Sequence, residues 1–116
     1  MSKIDRKNSV RWVIALMPEA IPIIRALRLI KISRNLSFPI YSDEVGEHWL
    51  TVSGLGQNNI AAATKCLFET SSADKTSIWI NVGIAGHKTL DLGFCFLANK
   101  ILSKKTGEVY YPSMSA

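Results

Sequence analysis

The sequence predicts an α/β domain built on a mixed sheet covered by helices. Three observations lead there. Short runs rich in β-branched residues alternate with a helical pattern, in the order strand, helix, hairpin, helix, strand. Two of the strands run directly into glycine-containing loops. The chain has 116 residues, 47% of them apolar and 20% charged, which suits a single domain with one modest core.

Residues 1–9 are polar and read as a flexible leader, without the apolar stretch of a signal peptide. "VRWVIALM" (Val10–Met17) reads as a buried strand. A helical pattern then runs from Glu19 to about Ile30. Ile23, Ile24, Leu27 and Ile30 form its apolar face. Pro22 fits such a helix only in its first turn, where an amide lacks a partner anyway. "FPIYSDEVGEHWLTVSG" reads as two strands around a Glu-Val-Gly-Glu turn. A second helix is expected from about Asn58 to Thr70, with Ile60, Thr64, Leu67 and Phe68 on one side. "TSIWINVG" is a further core strand. "FCFLANKIL" reads as a strand, "SKKTGE" as a turn and "VYYP" as a short strand.

The net charge of +5 is uneven. Residues 1–34 hold eight basic and two acidic residues, a balance of +6, and the remainder is at −1. A basic face of this kind can meet nucleic acid or an acidic membrane, but solvated helix charges are the simpler reading. Only Trp12 supplies an aromatic ring there, so stacking on single strands has little to work with. Apolar stretches are broken by Arg25, Arg28 and Lys31, too soon for a membrane span. The expectation is a cytoplasmic protein with neither nucleic-acid nor membrane partners. Cys66 and Cys95 lie 29 positions apart in apolar surroundings and read as buried, inert thiols. No second His, Cys or carboxylate stands at ligand spacing from His48 or His87, so no metal site is expected.

Two stretches have the composition of a binding loop. "SGLGQNNIAAA" (Ser53–Ala63) joins a strand end, a Gly-x-Gly and a helix start. "NVGIAGH" places Gly83 and Gly86 after another strand. Glycine exposes main-chain amides, and a helix N-terminus adds unpaired donors. Each stretch serves equally well as a plain turn. Glu19, just beyond the first strand, can cap its helix or act as a general base. Ser53 has no His/Asp arrangement to activate it.

"VIALMPEA", "TVSGLGQNNIAAAT" and "WINVGIAGHKTLDLG", in this order, resemble the first half of the nucleoside phosphorylase/nucleosidase superfamily. The resemblance runs from Val10 to Pro112. It implies a phosphorylase/hydrolase-like three-layer sandwich, here incomplete, with residues 10–116 as the N-terminal portion of the domain. It also implies cleavage of the N-glycosidic bond of a purine-type nucleoside.

By the same resemblance Glu19 is the water-activating carboxylate. Met17 and Leu55 line an apolar pocket for the 5′ substituent. Gly56 belongs to the anion- or water-holding loop. Ile84, Ala85 and Gly86 lie beneath ribose and base. Ile84 departs from the family's Ser at that position. Some members carry the acid one place later, where this chain has Ala20. Asn81 replaces an Arg that grips phosphate in phosphorolytic members, which favours hydrolysis. No cofactor is implied; phosphate is the co-substrate only of the phosphorolytic reaction. Family domains are longer, and their base-stacking aromatic, ribose-clamping Glu and base-protonating Asp have no counterpart here. The unfinished sheet would leave an open edge, so a homo-oligomer is expected. The alternatives are a catalytically inactive truncated relative that binds nucleoside or a partner, and a basic nucleic-acid-binding α/β domain.

Overall fold

A computed structural model describes residues 9–32, 35–84, 93, 95, 97, 98 and 100–111. The leader therefore lies almost wholly outside the described residues. The chain divides into two compact units, Met1–Ala85 and Gly86–Ala116.

The first unit is a mixed α/β structure. Its elements are β1 (Val10–Ile14), α1 (Met17–Ala26), β2 (Ile30–Lys31), β3 (Ile40–Ser42), β4 (His48–Val52), α2 (Gln57–Thr70) and β5 (Ile78–Val82). The five strands form one sheet in the order β2-β3-β4-β1-β5. β1 lies between β4 and β5 and runs parallel to both, while β2 and β3 are antiparallel additions.

Alternation along β1 divides the core. Ile14 packs with Ala20, Leu29 and Leu50, joined by Ile23, Ile24 and Leu27 of α1. Val13 packs with Ile40 and with Leu67 of α2. Adjacent residues on a strand point to opposite faces, so α1 covers one face and α2 the other.

Four expectations need correction here. First, the opening strand ends at Ile14, and Met17 already begins α1. Glu19 is the cause: its Oε1 accepts the amide of Leu16 at 3.2 Å, which caps the helix one turn earlier. Second, the earlier start puts Pro22 inside the helix. Pro22 has no amide to give to the carbonyl of Pro18, and a ten-residue helix carries that single gap.

Third, α1 stops at Ala26 and Ile30 belongs to a strand. The stop is a Schellman turn. The Leu29 amide donates to the Ile24 carbonyl and the Arg28 amide to the Arg25 carbonyl. Arg28 takes the left-handed conformation, φ +55°, that glycine ordinarily fills. Fourth, Cys95 is exposed, whereas Cys66 is half-buried beside Leu67. Cys95 lies in the second unit, where nearly every described residue faces solvent.

The described part of that second unit is a hairpin, β6 (Ile101–Leu102) against β7 (Val109–Tyr110). Its turn is closed by the Gly107 amide on the Ser103 carbonyl, with Gly107 at φ +76°. The strand expected over residues 94–102 is seen only at its end, because residues 94, 96 and 99 are outside the description. Among the described residues no helix is long and apolar enough to cross a membrane.

Candidate functional site at the carboxyl ends of the parallel strands

β1 and β4 are neighbours, yet their following helices go to opposite faces. In an open α/β sheet this divergence leaves a crevice outside the strands' carboxyl ends. Three tips meet there: Ala15–Glu19 after β1, Ser53–Gln57 after β4 and Gly83–Ile84 after β5. Main-chain hydrogen bonds carry the β1–β4 pairing past the last residues of both strands. The Ser53 amide donates to the Ile14 carbonyl and the Gly54 amide to the Ala15 carbonyl, both at 2.9 Å.

Glu19 ties in the third tip. Its Oε2 accepts the amide of Ile84 at 2.9 Å while Oε1 caps α1. One half-buried carboxylate thus joins the helix after β1 to the loop after β5. The link does not depend on glycine at position 83: a methyl there would sit 3.9 Å from Oε2, an ordinary contact. Each carboxylate oxygen keeps a lone pair for a further donor.

The β4 loop needs its glycines. Gly54 has φ +81° and Gly56 φ +99° with ψ 149°, the latter in a region nearly reserved for glycine. Nothing lies within 4 Å of where a Gly56 side chain would begin, so backbone conformation, not crowding, selects the residue. Gly56 precedes α2, whose N-terminus has no side-chain cap and no acid in its first turn. Ser53 is buried and its hydroxyl donates to the Gly54 carbonyl, so it serves the turn.

The rim is apolar. Leu16 is 42% exposed, Leu55 68% and Ile84 88%. Met17 is half-buried against the α1 core. The structure therefore brings Met17, Glu19, Leu55, Gly56 and Ile84 to one end of the sheet. Ala85 and Gly86, and also His87, lie outside the described residues.

The opposite end of the sheet holds what sequence reading missed. Arg11, counted among the surface charges, is only 2% exposed. Its guanidinium donates to Ser71 Oγ at 3.1 Å, to the Ser71 carbonyl at 2.8 Å and to Ser9 Oγ, and lies over the Trp49 ring. Ser71 is the C-terminal cap of α2, where a cation also meets the negative end of the helix. The signal was available: Arg11 sits two places before the core residue Val13 and so shares its face.

That end also gathers Asp43, Glu47 and His48, whose ligand atoms lie within 4.8 Å of one another. This corrects the expectation from spacing, because the β3–β4 turn folds Asp43 back onto His48. The chemistry does not suit a metal. The Trp12 indole, which can only donate, gives its N–H to His48 Nδ1 at 3.2 Å. In the neutral ring the proton then sits on Nε2, and the ring's one accepting lone pair, on Nδ1, is taken by the indole; a ligating histidine instead donates through its second nitrogen. At the same end an open hollow of about 800 Å³ is lined by Leu27, Arg28, Ile32, Asp43, Glu44 and others, away from the strand tips.

Comparison with family models, with curated proteins and with solved structures finds no match to this chain.

Proposed function

We propose that the crevice outside β4, β1 and β5 binds a purine-type nucleoside, and that Glu19 directs water to its N-glycosidic bond. The bond from the Ile84 amide to Glu19 carries the reading. It sets a carboxylate between two glycine-bearing tips, at the edge of an apolar rim. A sugar offers hydroxyl donors to the carboxylate, and its apolar substituent suits Leu16, Met17 and Leu55. In this reading the unit is the beginning of a phosphorylase/hydrolase-like three-layer sandwich; helices on both faces support it.

Hydrolysis is the favoured chemistry. Water adds its oxygen to the anomeric carbon as the bond to the base breaks. One water proton passes to Glu19, and the base leaves with its bonding pair and takes up a proton. Phosphorolysis would need a grip on phosphate. Among the described residues the three tips carry no Lys or Arg, and Asn81 stands where an Arg would help. The protein in this reading is cytoplasmic and needs no cofactor.

A second reading has its own observation: both Glu19 oxygens already accept main-chain amides. On that reading the site binds nucleoside without turnover. Chromatography of free base from a nucleoside panel, with and without phosphate, together with calorimetric titration, separates the two. The expected result is binding and release in water alone, with release falling on the order of 100-fold in Glu19→Gln. Binding without release selects the second reading. Neither binding nor release overturns both.

A further inference from the structure

We propose that two copies of this chain pair antiparallel along the outer edge of β5, joining their sheets about a two-fold axis at Ile80. The inference is independent of the nucleoside reading.

The two edges of the sheet differ. β2 is two residues long, follows the left-handed Arg28 and carries the exposed Lys31. Short length and charge are the usual ways of keeping an edge from pairing. β5 has neither. It runs five residues in unbroken register with β1, and residues 77–84 contain no proline and no charge.

The outward groups can be named. The Ile78 amide donates inward to the Ser9 carbonyl. In a parallel pair, alternate residues direct their main-chain groups to the same neighbour. Ile78, Ile80 and Val82 therefore face β1, while Trp79 and Asn81 present their amides and carbonyls outward. Among the described residues no strand pairs with that side of β5.

A second copy fits for three reasons. The edge is neutral, so identical edges meet without like-charge repulsion although each chain carries +5. A two-fold at Ile80 sets Trp79 opposite the partner's Asn81, and these outward-facing residues exchange both hydrogen bonds. Ile78 then faces the partner's Val82, extending one apolar face. Head-to-tail growth is blocked, because β2 is too short and too charged to receive β5, so the pairing closes as a dimer.

Sedimentation equilibrium and light scattering on the full chain test this. Asn81→Pro removes an outward donor without touching the β1 ladder, and Asn81→Lys adds charge at an exposed position. Wild type should have twice the chain mass, and both variants should weaken the dimer at least about tenfold with unchanged circular dichroism. Should the proline variant unfold, the lysine variant decides. Ile80→Cys in a Cys66→Ser, Cys95→Ser background should form an intermolecular disulfide on oxidation, since opposed Cα atoms in a non-hydrogen-bonded pair lie at about 4.5 Å. A monomeric wild type, a dimer indifferent to Asn81→Lys, or no crosslink at position 80 overturns the proposal.

Discussion

The two ends of one sheet are built on opposite plans. At the amino end, Arg11 is enclosed by Ser9, Ser71 and Trp49, and Trp12 is bonded to His48. At the carboxyl end, Leu16, Leu55 and Ile84 face solvent, the backbone turns through Gly54 and Gly56, and Glu19 is the one carboxylate on the tips among the described residues. The first end satisfies its polar groups inside the protein. The second leaves apolar side chains exposed. The difference teaches which end stabilises the fold and which is available to a ligand, since binding surface is what a folded chain has not already used.

The comparison breaks most visibly at Arg11. Arg11→Met should cost about 3 kcal/mol in denaturant unfolding, because it strands buried acceptors on Ser71 and Ser9. Nucleoside affinity of the folded fraction should not change. An affinity loss on the scale of the stability loss would show that the two ends are not separable.

Gly56→Val should cost about 2 kcal/mol by forcing a branched side chain into a glycine-only conformation. Unlike Arg11→Met, it should also weaken nucleoside binding; calorimetry on the two variants sharpens the contrast. Glu19→Gln should cost about 1 kcal/mol, the worth of a helix cap, because the side-chain NH2 that replaces one oxygen can no longer accept one of the two amides, Leu16 or Ile84. Stability well below that of Gly56→Val would make Glu19 chiefly a structural clamp.

The smallest expected effect is a gain. Arg28→Gly relieves the left-handed strain at the end of α1 and should raise stability by about 0.5 kcal/mol, read as a higher unfolding midpoint. At the far side of the sheet, Asp74 accepts from the Thr76 hydroxyl and amide. The Thr76 hydroxyl, then its amide, hold the carboxyl below its ordinary value. Asp74 therefore favours the folded state above its unfolded-state pKa. That contribution should fade as pH falls through the lower folded value, whereas Asp74→Asn should show a flatter acid limb.

Local signals carried much of the fold. β-branched runs announced β1, β4 and β5, and the spacing of Ile60, Thr64 and Leu67 announced α2. Gly54 and Gly56 announced a sharp turn that the structure contains. β2 was hidden because Ile30 continues the spacing of Ile23 and Leu27, and the residue that ends α1 is Arg28, not glycine. Arg11 was hidden by its charge, which suggests solvent unless its strand face is followed. For the site, residue types pointed to the two glycine loops and Glu19. Nothing in the spacing told that Glu19 would hold the Ile84 amide 65 positions away.

By itself, then, the sequence determined most of the strands and both helices in outline, β2 excepted, and where only glycine can turn, because those preferences are settled within a few neighbouring residues. The tertiary structure alone decided that β1 lies between β4 and β5, that α1 and α2 leave by opposite faces, and that Glu19 links two of the tips. Strand order depends on crossovers and on burial of both sheet faces, which are long-range events that no local window contains.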